Sequence, residues 1–324
     1  MHRRLLFTSV IVFVFSALWV GAQQPVPAVN ELWREPDLAG IDLFYGPGGQ
    51  PDAPQPGRFT FIKEDLDGTQ PKFDVVDEHG VRWKVKLGPE ARPEVAATRL
   101  VWAAGYFADE DYYLPQLQVD GLAALKRGQK YLSPTGLVTG ARLERSVKGQ
   151  RKAGNWSWRD NPFTGSRELD GLKVLLALIN DWDLKEINND IYVERHGERH
   201  YAVADLGASF GRNSNEYARS KGDADGYRQS TFIRQIRSDE VDFVLLRAPF
   251  WVDALRTVHG REYGRMDELV RHIPREHARW IGHVLAQLSD EQIAAAFRAA
   301  SFTPEEVDEL TATVRDRIAR LNAL

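Results

Sequence analysis

Asp183-Leu184-Lys185-Glu186-Ile187-Asn188 and Asp205-Leu206-Gly207 stand on either side of a hairpin pattern. Its strands are Ile191-Tyr192-Val193 and Tyr201-Ala202-Val203-Ala204, with a polar turn at Arg195 to Glu198 between them. An apolar run at helical spacing precedes the whole: Leu169, Leu172, Leu175, Leu176 and Ile179. Few folds satisfy that order. Antiparallel strands joined by a short turn begin and end side by side, so both polar motifs sit at one edge of one cleft. Either motif alone carries little, since Asp-Leu-Gly often just ends a strand in a turn. Asn189 and Asp190 read as turn formers rather than ligands.

Residues of these types suit phosphoryl transfer. A carboxylate orients the attacking hydroxyl, a cation neutralises the migrating group, and an amide with a second carboxylate holds a metal against phosphate oxygens. The preceding stretch supplies a sheet. Phe59-Thr60-Phe61-Ile62, Phe73-Asp74-Val75-Val76 and Val81 to Leu87 read as strands, the last two joined by a turn at Glu78-His79-Gly80. In the third strand Val81, Trp83, Val85 and Leu87 share one face, and Arg82, Lys84 and Lys86 the other. Pro93-Glu94 opens a helix to about Tyr106, and strand patterns follow near Tyr112 to Val119 and Gly136 to Leu143. Beyond the hairpin the pattern is mostly helical, with capping-box starts at Ser289 to Gln292 and Thr303 to Glu306. Trp156 and Trp158 read as packing anchors or as a substrate surface.

The 183–207 stretch resembles the catalytic loop and metal-binding D-F-G segment of protein kinases, with Leu206 in place of Phe. Asp181-Trp182 stands where His-Arg usually precedes the catalytic aspartate. That departure is compatible with divergent kinase-like branches: HipA-like, phosphoinositide and secreted Golgi-type kinases. Gly68-Thr69-Gln70-Pro71-Lys72-Phe73 resembles the G-x-Q-P-K phosphate loop of the HipA-like branch. The resemblance spans about Arg58 to Gly211. It implies an α+β, bilobal protein-kinase-like fold, with a small antiparallel-sheet N-lobe over 58–119 and a larger, mainly helical C-lobe over 120–324. It also implies ATP and Mg2+ as cofactors. Asp183 would be the catalytic base and Lys185 its helper; Asn188 and Asp205 would ligate the metal. Gly68, Gln70 and Lys72 would line the phosphate loop, and Lys86 would contact phosphates with Glu94 as its partner. Lys84, on the same face as Lys86, is the alternative phosphate lysine.

The 324 residues carry no cysteine and a formal net charge of −4. No basic excess points to nucleic acid, and neither a disulfide framework nor a lipoprotein anchor is available. His2-Arg3-Arg4, the apolar run Leu5 to Val20 and the small residues of Val20-Gly21-Ala22 have the layout of an export signal over 1–22. Cleavage leaves no stable membrane span and places the protein in the periplasm or outside the cell; without cleavage the run is an anchor. Residues 23–57 are rich in Pro and Gly and read as an extended leader or irregular cap rather than core. Two functions follow: an exported ATP/Mg-dependent phosphotransferase whose acceptor is a protein, lipid headgroup, sugar or metabolite, or a non-catalytic kinase-fold binding protein of the envelope.

Overall fold

A computed structural model describes residues 29–213, 219–246 and 266–324. The expected export signal lies outside the described residues. Two apolar cores organise the chain, one inside a small barrel and one under a larger helical lobe.

After the short strand β1 (Asn30–Glu31) and one turn of helix, α1 (Gly49–Asp52), the barrel begins. It comprises β2 (Phe59–Asp65), β3 (Lys72–Asp77), β4 (Arg82–Leu87), β5 (Asp111–Asp120) and β6 (Leu137–Arg145), in the order β2-β3-β4-β6-β5. Alternation explains most of its interior: Phe73 and Val75 from β3 and Trp83, Val85 and Leu87 from β4 are buried there, joined by Val138, Ala141 and Leu143 from β6. The β3–β4 turn is fixed by Asp77. Its Oδ1 accepts from the backbone N–H of His79 and Val81, each at 2.9 Å, and its Oδ2 accepts from Trp83 Nε1 at 2.9 Å.

The antiparallel sheet of the small lobe closes into a barrel through one parallel seam, where β2 pairs with β5 at Phe59–Val119 and Thr60–Asp120. The boundary expected at residue 119 cuts this unit. Strand β6, at 137–145, pairs with both β4 and β5 and buries Val138, Ala141 and Leu143 in the barrel core.

Helix α2 (Ala91–Ala103) links barrel and helical lobe. It starts two residues before Pro93, so the proline still lies in the first turn, where its missing N–H costs nothing. Eleven of its thirteen residues are buried.

The second lobe contains β7 (Arg151–Asn155), α3 (Arg167–Leu178), β8 (Asn189–Val193) and β9 (Arg199–Val203), then α4 (Ala224–Gln229), β10 (Ile233–Ile236), β11 (Glu240–Phe243) and β12 (Ile273–Pro274). It ends with α5 (Arg275–Ala286), α6 (Asp290–Ala299) and α7 (Pro304–Asn322). Both capping boxes, at Ser289 and Thr303, form. From α7 the buried Arg317 donates to Leu178 O (2.7 Å), Asn180 Oδ1 (2.8 Å) and Tyr227 O (3.0 Å). The first of these bonds satisfies the last carbonyl of α3, just before the loop at 183–188, and the other two tie α7 to Asn180 and to α4.

Residues 29–57 are not merely a cap. Leu32, Leu38 and Leu43 are buried in the helical-lobe core, β1 pairs in parallel with β9, and Trp33 Nε1 donates to Ala104 O at 2.7 Å. The prolines suppress regular structure here without preventing apolar side chains from docking.

Candidate active site

Lys86 points away from the barrel interior, yet α2 and the segment at 205–208 cover it to 3% exposure. The price of burying an ammonium is met by carboxylates. Its Nζ lies 2.8 Å from Glu94 Oε2 and 3.1 Å from Glu90 Oε2, and it donates to Asp205 Oδ1. Burial lowers the lysine pKa, but Glu94, Asp205 and Glu90 together outweigh that and hold it above its ordinary value. Lys84 pairs instead across the strands with Glu144, at 3.7 Å, and does not share this position.

Glu94 is 1% exposed and held from both sides. Arg142 Nη2 donates to its Oε1 at 2.6 Å, and Arg142 also meets Asp111 at 3.3 Å and Glu144 at 2.7 Å. The register aligns Lys72 with Lys86 and Lys86 with Arg142, so three cations cross the barrel's outer face in one row. Lys72 lies 3.6 Å from Asp65.

Asp205 takes a left-handed backbone conformation, φ 53°, which aspartate tolerates better than most residues. Burial opposes its ionisation, but Lys86 foremost, with Arg142 and Lys72, holds the carboxyl below its ordinary range. Gly207, two residues on, passes so close to α2 that an added Cβ would sit 2.5 Å from Glu90 Cβ. The glycine lets the segment lie against the helix.

In the loop after α3, Lys185 Nζ lies 2.8 Å from Asp183 Oδ1. Asn188 Nδ2 donates to Asp183 O at 3.0 Å, which leaves its Oδ1, the atom able to meet a cation, out of that bond. Asp181 Oδ1 accepts from Asp183 N at 3.1 Å. Burial raises the Asp181 carboxyl well above its ordinary value, and the nearby Asp183 and Asp205 add to this.

Trp158 Nε1 donates to Leu184 O at 3.1 Å and Trp156 Nε1 to Ala202 O at 2.9 Å, both rings buried. These tryptophans are anchors for the loop and hairpin. Asn189 and Asp190 are not turn residues: both are buried at the start of β8, Asn189 donating to Trp156 O at 3.1 Å and Asp190 paired with Lys152 at 2.6 Å. Pairing with β9, Asn189 opposite Val203 and Asp190 opposite Ala202, gives them strand conformation.

Of the phosphate-loop candidates, Gln70 Nε2 reaches Glu90 Oε1 at 3.0 Å, while Gly68, at φ 66°, offers its carbonyl to Arg127 Nη1 at 2.5 Å. Glu90 also receives Lys221. Sequence reasoning missed Glu90, Arg142 and Lys221. Glu90 had a signal, lying four residues after Lys86 and four before Glu94; Arg142 and Lys221 had none, because only the fold brings them here.

No protein-family model matches the sequence, and no curated protein does. Among solved structures the chain is similar to the Helicobacter pylori proinflammatory kinase CtkA, at TM-score 0.48 and 9% identity over 82% of this chain and 96% of that one. It is also similar to the Golgi casein kinase (TM-score 0.33, 12% identity, 81% and 74% covered), which has been solved with Mn/ADP bound as well. A third is the Rio2 kinase of Chaetomium thermophilum in its ADP/Mg2+-phosphoaspartate complex (TM-score 0.32, 12% identity, 80% and 72% covered). These overlaps are shallow. The chain's own architecture, a five-strand lobe whose lysine meets a buried helix glutamate and a carboxylate beyond a hairpin of the helical lobe, is a protein-kinase-like fold.

Proposed function

We propose that this protein is an exported, ATP- and Mg2+-dependent phosphotransferase of kinase-like type. One observation carries the reading: a single buried ammonium, Lys86, joins Glu94 of α2 to Asp205, 119 residues away in sequence. Packing alone seldom assembles such a cluster, because burying charge is costly.

The donor set fits magnesium. Asp205 and the free Oδ1 of Asn188 are hard oxygen ligands, and among the described residues no group of three or more His, Asp or Glu forms a complete metal cage. Two protein oxygens suit an ion that fills its shell with phosphate and water. When bound, the metal neutralises charge on the phosphate oxygens. The chain's own residues do the rest. Lys86 and Lys72 hold phosphate oxygens, and Lys185 offers positive charge beside the transferred group. Asp183 takes the acceptor hydroxyl's proton as the new O–P bond forms and the bond to the nucleoside diphosphate breaks. Export rests on the basic and apolar N-terminal segment; among the described residues no helix is long and apolar enough to cross a membrane.

A second reading, a non-catalytic binding protein, is favoured by the cleft wall beside Lys86. It carries Lys84 and Glu144, and Tyr192 of the hairpin bonds Asp109 at 2.9 Å and Asp190 at 3.2 Å. Ligand pockets for flat bases are mostly apolar.

Thermal unfolding of the mature chain with and without Mg-ATP separates the two. A ligand at about 100 times its Kd adds about 2.7 kcal/mol, which appears as a raised Tm. The expected result is a magnesium-dependent shift that Asp205→Asn abolishes, with Asp183→Asn keeping the shift but losing transfer. Absence of any shift at millimolar Mg-ATP would move the assignment to the binding protein.

A further inference from the structure

A cavity of about 500 Å3 opens on the barrel flank at the start of α2, separate from Lys86 and Asp205. Three cations line it, Arg92, Lys130 and Lys221, and no carboxylate does. In a chain of net charge −4 this is a local concentration, not general basicity. Each cation has spare capacity. Arg92 stacks on Phe302 at 4.0 Å and meets Glu306 at 2.5 Å, but its Nε is buried with no hydrogen-bond partner. Lys130 is exposed and lies 5.0 Å from the Tyr131 ring centre. Lys221 pairs with Glu90 and lies 4.9 Å from the Trp182 ring centre, and a pair with one carboxylate oxygen engages one of its three N–H donors.

The remaining wall is aromatic. Tyr113 and Tyr131 line the same cavity, and burial pushes the Tyr113 hydroxyl up, so it stays a protonated donor. The volume lies within the range of small-molecule sites, about 300–1,000 Å3, rather than that of a flat docking face. The first turn of α2 adds the positive end of a thirteen-residue helix.

We propose that this cavity binds a small phosphate ester, its phosphate held among Arg92, Lys130 and Lys221 and its ring or carbon frame against Tyr113 and Tyr131. The assignment does not rest on the phosphotransferase reading. The two sites nevertheless touch: Lys221 pairs with Glu90, and Glu90 with Lys86, so an anion on Lys221 competes with Glu90 for that ammonium and leaves Glu90 to Lys86.

Calorimetric titration of the mature chain with phenyl phosphate, and separately with inorganic phosphate, tests this. Expected are saturable one-site binding of phenyl phosphate, weaker binding of inorganic phosphate, and a loss of about tenfold or more in Lys130→Glu, as befits a charge-assisted contact. Lys130 is exposed, so this variant folds; its Tm serves as the check. Asp205→Asn is expected to bind phenyl phosphate as the parent does. No saturable binding at millimolar ligand, or unchanged affinity in Lys130→Glu, overturns the site. Equal affinity for the two ligands overturns the aromatic part, and loss of binding in Asp205→Asn puts the ligand in the lysine cluster instead.

Discussion

A lysine on the outward face of a strand normally projects into water; Lys86 does not, because α2 lies over it. The alternation of Val81 to Leu87 showed which residues face outward, but not that the outside is itself buried at one end. Glu94 was named only through the resemblance, as the helix partner of Lys86; its place in a first helical turn is one that the helix dipole favours without any function. Arg142, its second partner, was not named, since 48 residues separate them and only the pairing of β4 with β6 makes them neighbours. The Asp205 carboxyl gives a test at this scale. Its folded pKa lies below the ordinary 3.8, so its pairing adds stability that is complete above that value and is lost as pH falls through the folded pKa. Chemical denaturation at stepped pH is expected to show Asp205→Asn less stable than the parent by a constant margin near neutrality. That margin shrinks below about pH 4. A margin independent of pH would mean that Asp205 is not ionised in the cluster.

Elements with long or clean patterns were legible. The three first strands, α2, α3, the β8–β9 hairpin and both capping boxes follow from alternation, helical spacing or cap chemistry. Strands β7, β10, β11 and β12 have two to five residues each, too few for a period to show, and exist because neighbouring strands supply their hydrogen bonds. The contact between α2 and residues 206–208 was equally silent, although it sets the geometry of the cluster. Gly207→Ala probes it. A Cβ 2.5 Å from Glu90 Cβ forces the two segments apart, and a loss of about 1–3 kcal/mol in a denaturant melt is expected. Neutral behaviour would show that this approach is loose.

On the scale of the molecule, the most misleading stretch in the sequence was 29–57. Its prolines and glycines describe backbone habit correctly and say nothing of what Leu32, Leu38 and Leu43 bury. Deleting residues 29–45 is expected to lower stability by roughly 5 kcal/mol, taking about 1.5–3 kcal/mol for each buried leucine and discounting for a compact unfolded chain. Calorimetry of the shortened chain would read this as a lowered Tm; an unchanged Tm would return the segment to the role of a passive leader.

The parallel seam between β2 and β5 has a consequence for how the chain assembles. Strands β2, β3 and β4 can zip together as they emerge, each from its neighbour in sequence, but the sheet then has two raw edges. Its missing staves, β5 and β6, come only after α2 has been made, and the seam joins Phe59 to Val119 across 60 residues. Until that stretch arrives, the half-barrel is open to pairing with other chains, the hazard that a finished barrel removes. Closure is therefore a late, non-local event, and such events fold slowly. The site lysine lies on β4, next to the strands that close last, so its charge is enclosed only once the circle is complete.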